Sequence, residues 1–219
     1  MDHHYTFHHE LIKLNKKLLK LSSMVEERVR KAAQVIESRD QDVIQAIIMS
    51  DYEVDEMEVD IEEDCLKILA LHQPVASDLR FLIAVIKINN EMERIADMAV
   101  SIAMRVDNIS KFNHPEAISY DFSTMSDKVI AMLKKSIDAL VNSNSQLAKT
   151  IFLDDDVVDA CRNRCYEDIK DRIRKDPEHP GYHINTYLLA RHLERIGDRA
   201  VNIAEEVVYF VEGNVTRFP

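Results

Sequence analysis

With 219 residues, only three Gly, five Pro and no Trp, and with Leu, Ile, Ala, Glu, Lys and Met frequent, the chain can bury a substantial aliphatic core and favours an all-helical fold. A formal net charge of −11 argues against a nucleic-acid partner, which needs a basic face, and permits bound cations or a basic protein partner. Cys65, Cys161 and Cys165 are too few for a disulfide framework, no apolar run approaches the roughly 20 residues that span a bilayer, and no signal peptide precedes Phe7, so a cytoplasmic protein without a transmembrane segment is expected.

His3 and His4, followed by His8 and His9, read as a frayed start with the composition of a weak metal-binding tail. Helix one is expected from about Thr6 to Ser38, with Leu11, Leu14, Leu18, Leu21 and Val25 inside, extended by Val29, Ala32 or Ala33, and Ile36. Asp40 or Asp42 can cap helix two, whose stripe is Val43, Ile47, Val54, Met57, Ile61 and Ile68. It ends near His72-Gln73-Pro74. Asp51, Asp55, Glu58 and Glu62 form one acidic row on its flank. Helix three follows, with Pro74 suited to its first turn, and runs to about Asn108. Ser110 to Phe122, with Asn113, His114 and Pro115, has no clear period and reads as a linker. Helix four spans about Ser123 to Asn142, with Met125, Val129, Met132, Ile137 (or Ser136) and Leu140 inward. Ser145 can cap helix five, which Asp154, Asp155 and Asp156 interrupt as weak helix formers and which ends near Lys175 to Gly181. Helix six runs to Gly213. The expected organisation is two tandem, pseudo-symmetric three-helix bundles, residues 1–109 and 123–219, joined by 110–122.

The third and sixth helices carry the same text. Glu93-Arg94-Ile95-Ala96-Asp97 recurs as Glu194-Arg195-Ile196-Gly197-Asp198 at a constant offset (194 − 93 = 101). Downstream, Ala99-Val100-Ser101-Ile102-Ala103 is answered by Ala200-Val201-Asn202-Ile203-Ala204 in the same register. Two matched stretches in one register indicate an internal duplication. Val85, Ile88, Met92, Ile95, Ala99, Ile102 and Val106 are spaced three and four apart, as are Leu189, Leu193, Ile196, Ala200, Ile203, Val207 and Phe210. Glu93 with Asp97, and Glu194 with Asp198, therefore flank a bundle seam one turn apart. Asp51 and Asp55 correspond to Asp155 and Asp159 (155 − 51 = 104), while Arg162 and Tyr166 stand where Glu58 and Glu62 stood.

Like charges one turn apart destabilise a helix by a few tenths of a kcal/mol, so matched pairs ask for a cation. Neighbouring arginines such as Arg94 and Arg195 can supply it, and so can a metal. Brought together across a helix pair, Asp51, Asp55, Glu93 and Asp97, or Asp155, Asp159, Glu194 and Asp198, offer hard oxygen ligands suited to Mg, Mn, Ca or Fe. A site beside the seam would be surface-bound and exchangeable. Di-iron oxygen chemistry is disfavoured, because no Glu is followed three residues on by His. His192, beside Arg191 and Arg195, is a weak candidate for phosphotransfer, and three glycines cannot make a phosphate loop. Cys161 and Cys165 read as buried, reduced hydrophobes. Three readings remain: a regulatory adaptor, a metal-dependent hydrolase or phosphatase for which Arg80, Arg94 and Arg195 are the tempting phosphate ligands, and a bundle whose acidic rows are only solvated faces.

The duplicated motif, together with Gln73-Pro74-Val75-Ala76-Ser77-Asp78-Leu79-Arg80, resembles the PhoU family of phosphate transport and signalling regulators over about residues 7–213. The resemblance implies two three-helix bundles and metal clusters, iron or zinc in some members, on the bundle surfaces. It maps the metal-binding motifs onto Asp51 with Asp55, Glu93 with Asp97, Asp155 with Asp159, and Glu194 with Asp198. One turn on, Ser101 and Asn202 continue the two rows; Asn202 matches the family's downstream asparagine and joins the expected metal set of the second half, whereas the first half has Ser101 in its place. The resemblance also implies a non-enzymatic, cytoplasmic negative regulator of phosphate uptake and of the phosphate-starvation response. Its partners would be the phosphate ABC transporter and the sensor histidine kinase, and a homodimer is expected.

Overall fold

The computed structural model describes residues 2–112 and 120–215, with side chains from Thr6 onward. His3 and His4, and Asn113, His114 and Pro115 of the expected linker, lie outside the described side chains. Regular structure among the described residues is entirely helical: α1 (Asp2–Ser38), α2 (Gln41–Met49), α3 (Asp51–His72), α4 (Ala76–Ser110), α5 (Ser123–Val141), α6 (Ser145–Ala148), α7 (Phe152–Lys175) and α8 (Pro180–Glu212). Short α2 and α6 are leading pieces of each half's second helix. The architecture is thus two three-helix bundles, α1 with α2–α3 and α4, then α5 with α6–α7 and α8.

The bundles join through α4 and α8, which pack antiparallel along most of their lengths. Successive cross-contacts fix the register. Phe81 meets Phe210 edge-on with centroids 5.7 Å apart, Lys87 pairs with Glu206 at 3.0 Å, Glu91 with Arg199 at 3.2 Å, and Arg105 Nη1 donates to Asn185 Oδ1 at 3.4 Å. The two Glu-Arg-Ile-x-Asp stretches therefore lie level with each other at the middle of the pair. All seven predicted seam residues of α4 are buried, as are six of the seven on α8, with Phe210 half-buried. Burying each such aliphatic chain stabilises the fold by about 1.5–3 kcal/mol. Small buried residues recur on both helices, Ala96, Ala99 and Ala103 against Gly197, Ala200 and Ala204, which permits close approach.

Five local expectations need correction. The second helix does not run unbroken from Asp40: the chain bends at Ser50. Arg28 of α1 donates to the Ser50 carbonyl and, at 3.3 Å, to its hydroxyl, and Glu53 N–H takes that carbonyl at 3.2 Å in a tightened turn. Asp40 does cap α2, accepting from the N–H groups of Asp42 and Val43, and Ile44 rather than Val43 is buried. Pro74 lies before α4, not in its first turn, because Gln73 closes α3 in a left-handed conformation (φ 49°) and the chain re-enters helix at Ala76. Asn144, not Ser145, caps α6, accepting from Leu147 N–H at 3.0 Å. The interruption in the second half comes before the aspartates. Thr150 N–H and Ile151 N–H bond three residues back, and Asp154 and Asp155 then occupy the first turn of α7, where carboxylates suit the unpaired N–H groups.

Because Ile95 is fully buried on the shared seam, Ile95→Ala should lower stability by about 2–5 kcal/mol, read as a fall in the urea midpoint at unchanged slope.

Candidate functional site

The break at Ser50 makes Asp51 the first residue of α3 and places Asp55 one turn later, on the side facing α4. There they meet Asp97. Each of the three contributes a carboxylate oxygen, and these oxygens lie within 4.8 Å of one another. Asp51 is half-buried, and Asp55 and Asp97 are exposed, so solvent ions have direct access. Glu93, half-buried, stands beside the triad within electrostatic reach of Asp97, Asp55 and Glu58. Two unit charges 4 Å apart repel by about 1 kcal/mol in water and about 4 kcal/mol near a protein surface. The carboxyls respond accordingly. Burial, then Asp55, raises Asp51 above the usual carboxylate range against the pull of Arg28. Burial, then Asp97, raises Glu93, and burial, then Asp51 and Asp55, raises Asp97. Two arginines supply counter-charge: Arg94 acts on Glu93 and Asp97, and Arg28 on Asp51 and Asp97. Arg28 is 6% exposed and its Nη1 lies 3.2 Å from Asp51 Oδ1. It contacts the triad at one edge, with its other nitrogen committed to Ser50. The donor set is all carboxylate, few-membered and open, which fits a hard di- or trivalent cation.

The second half places Asp155 and Asp159 on α7 against Glu194 and Asp198 on α8 by the same logic. The outcome differs. Arg162 Nη2 lies 3.4 Å from Asp159 Oδ1 and 3.2 Å from Glu194 Oε1, so a guanidinium ties the two helices together. Asp155 and Asp198 remain as a like-charged pair. Burial, then Asp198 and Asp159, pushes Asp155 up to about 6, and burial, then Glu194 and Asp159, raises Asp198. The Asp155 carboxylate packs over Gly197, 3.5 Å from where a Cβ would stand. Asp154 is drawn aside to Lys128 at 2.9 Å and to Lys135.

Several sequence candidates lie elsewhere. Asn202 lines a groove with Glu58, Glu62, Lys87, Asn90, Glu91 and Glu206, so it faces the first bundle rather than Asp155. Glu58 and Glu62 belong to that groove and not to the triad. Arg80 packs against Gly213 at the end of α8, far from the acidic cluster, whereas Arg94 stays within electrostatic reach of Glu93 and Asp97 while its Nε donates to Asn90. Both ring nitrogens of His192 are buried without a partner among the described residues, and burial with Arg105, Arg195 and Arg191 pushes its pKa down to about 4, which does not suit phosphotransfer. Cys65, Cys161 and Cys165 are free and buried, and burial pushes the Cys65 and Cys165 thiols up to about 12. Arg28 was not singled out from the sequence. Its signal was a charge set between Val25 and Val29 on the inner stripe of α1.

A family model described as "PhoU domain" matches residues 18–106 and again 122–207. The chain is 30% identical over 208 residues to a phosphate-specific transport system accessory protein PhoU homolog of Clostridium acetobutylicum, covering 94% of each chain. It is 31% identical over 205 residues to a homolog of Methanothermobacter thermautotrophicus, again covering 94% of each. Among solved structures, PhoU from Pseudomonas aeruginosa superposes with a TM-score of 0.90 at 31% identity, over 95% of this chain and all of that one. The phosphate transport system regulatory protein PhoU of Streptococcus pneumoniae gives 0.87 at 27% identity, over 97% of this chain and all of that one.

The raised Asp155 carboxyl sets a pH dependence. Its folded pKa of about 6 exceeds the ordinary value near 3.9, so the folded chain holds this proton more tightly than the unfolded chain. The stability it lends is present below the ordinary value and lost as pH rises through about 6. Asp155→Asn should therefore raise the Tm of chelator-treated protein at pH 7 and leave it nearly unchanged at pH 4, as measured by scanning calorimetry.

Proposed function

The chain belongs to the PhoU family, and on that premise we propose that it is a metal-binding accessory regulator of phosphate transport. In this reading it is a cytoplasmic adaptor that restrains phosphate uptake and the phosphate-starvation response, docking as a homodimer to a phosphate ABC transporter and a sensor histidine kinase. It is an accessory protein and not an enzyme. The observation that carries the metal-binding part is the convergence of Asp51, Asp55 and Asp97 on one small volume beside Glu93. The net charge of −11 favours a basic docking face on the partner. Among the described residues no helix is long and apolar enough to cross a membrane, which is consistent with contact through a partner.

The residues divide the work. Arg28 holds Asp51 and the Ser50 bend in place, Asp55 projects from the next turn, and Asp97 approaches from α4. A bound iron or zinc ion, or manganese, magnesium or calcium, would supply the positive charge that this oxygen set lacks. The carboxylates would then tie α3 to α4 and present a fixed surface for docking. Arg28 is committed to Ser50 and Asp51, Arg94 donates to Asn90, and Arg80 lies at the end of α8, so the arginines nearest the triad are engaged with the chain's own groups.

Elemental mass spectrometry on protein purified without an affinity tag should find metal that dialysis against chelator removes and added iron, zinc or manganese restores. Asp55→Ala with Asp97→Ala should lower retained metal at least about tenfold while helical circular dichroism stays nearly constant. Metal content indifferent to both substitutions would contradict the site. Co-purification of the transporter or kinase with the wild-type chain, weakened by the same double substitution, is expected for an adaptor. Turnover of phosphate esters by the metal-loaded chain would contradict the non-enzymatic reading.

A further inference from the structure

The two halves are duplicated in sequence but not in how they meet their own charge. In the first bundle, Glu58 occupies the position on α3 that Arg162 occupies on α7. Glu58 adds negative charge near Asp55 and Glu93, and it lines the groove toward Asn202. Arg162 does the opposite. It turns into its cluster, its guanidinium 3.4 Å from Asp159 on α7 and 3.2 Å from Glu194 on α8. Its Nε is buried without a partner, and its Nη1 donates to Asn163 at 2.7 Å, so the head group is held at the site rather than free in solvent. A cation spanning one carboxylate from each helix is the connection a bridging metal would make. The ligand set is further reduced because Asn202 faces the other bundle. Of the five second-half residues in the expected metal set, Arg162 pairs with Asp159 and Glu194 and Asn202 faces away, which leaves Asp155 and Asp198 without a direct contact to it. Among the described residues, the oxygens of three carboxylates converge within 4.8 Å at Asp51, Asp55 and Asp97, and no such group forms in the second half.

We propose that Arg162 is the resident cation of the second acidic cluster, bridging Asp159 and Glu194 in place of a metal, so that the chain takes metal at one of its two pseudo-equivalent clusters. The inference rests on the metal reading of the first cluster. It adds that the second half of the surface is fixed permanently by the chain's own side chain, whereas the first responds to metal supply. An arginine bridge does not exchange with solution ions, since the guanidinium remains charged at all ordinary pH values.

The test is metal stoichiometry by elemental mass spectrometry after chelation and reloading with zinc or manganese, on wild type, Asp97→Ala, Asp198→Ala, Arg162→Glu, Arg162→Gln and Arg162→Glu with Asp198→Ala. Wild type should lose its metal with Asp97→Ala and keep it with Asp198→Ala. Arg162→Glu, which restores the residue type at Glu58, should bind about one further equivalent or more, and adding Asp198→Ala should remove that gain. Arg162→Gln removes the positive charge and leaves a shorter, neutral amide, and should gain metal in the same direction. Loss of wild-type metal on Asp198→Ala, or no gain in either folded Arg162 variant, would overturn the proposal. Wild type without metal but Arg162→Glu with Asp198-dependent metal would sink the first-cluster reading and leave the Arg162 assignment standing. No metal in any variant would overturn both.

Discussion

Carboxylates held one helical turn apart beside an apolar seam that cannot yield are the constraint on which this molecule turns. The seam of α4 and α8 is closed by fully buried aliphatic and small residues, and its register is fixed by cross-pairs from Phe81–Phe210 to Arg105–Asn185. Rotating α4 to carry Glu93 and Asp97 away from Asp51 and Asp55, or α8 to carry Glu194 and Asp198 away from Asp155 and Asp159, would expose that seam. Each buried aliphatic chain is worth about 1.5–3 kcal/mol, against a few tenths of a kcal/mol for one like-charge pair, so the seam wins and the repulsion stays. The second-helix breaks compound it. Each delivers further aspartates, Asp51 and Asp155, into the first turn of the following helix and up against the motif.

Relief has to come from cations, and the two bundles draw on different ones. On α1, Arg28 reaches the first cluster from the buried side and spends half of its head group on the Ser50 carbonyl and hydroxyl, so it steadies Asp51 and leaves Asp55 and Asp97 facing water. On α7, Arg162 reaches its cluster from within and touches a carboxylate on each of two helices. One position in the duplicated helix, Glu58 against Arg162, thus separates a surface that calls for an outside cation from one that carries its own. For an adaptor, this divides the surface into a part sensitive to metal and a part that is always set.

Much of this was legible in the sequence because helix periodicity is a short-range signal. The seam residues, the six long helices and the pairing of Asp51 and Asp55 with the motif all follow from spacing. The bend at Ser50 was not legible, since no Gly or Pro marks it and a side chain from α1 makes it. The Asp154 to Asp156 run looked like a breaker because aspartate is a poor mid-helix residue, yet at a helix start its carboxylates are favourable. Asn202 appeared to continue the row of Glu194 and Asp198. A step of four residues overshoots a 3.6-residue turn by about 40°, so two steps carry it about 80° around α8 and toward the other bundle. Glu58 and Glu62 keep the angular position of Asp51 and Asp55 but lie farther along the axis, by about 10 Å for seven residues. Spacing gave the direction of a side chain and not the distance at which it acts.

The account's central claim is that the first cluster is destabilising by itself and relieved by a metal. Thermal unfolding of the Asp55→Asn, Asp97→Asn double variant beside wild type, each with chelator and with added zinc, tests it directly; Asp51 is left intact so that Arg28 keeps its partner. The account predicts that with chelator the double variant melts above wild type, that zinc raises wild type, and that zinc leaves the variant where it was. A variant that melts below wild type under chelator, together with no zinc response in wild type, would mean that the carboxylates are stabilised within the protein and that no metal is needed there.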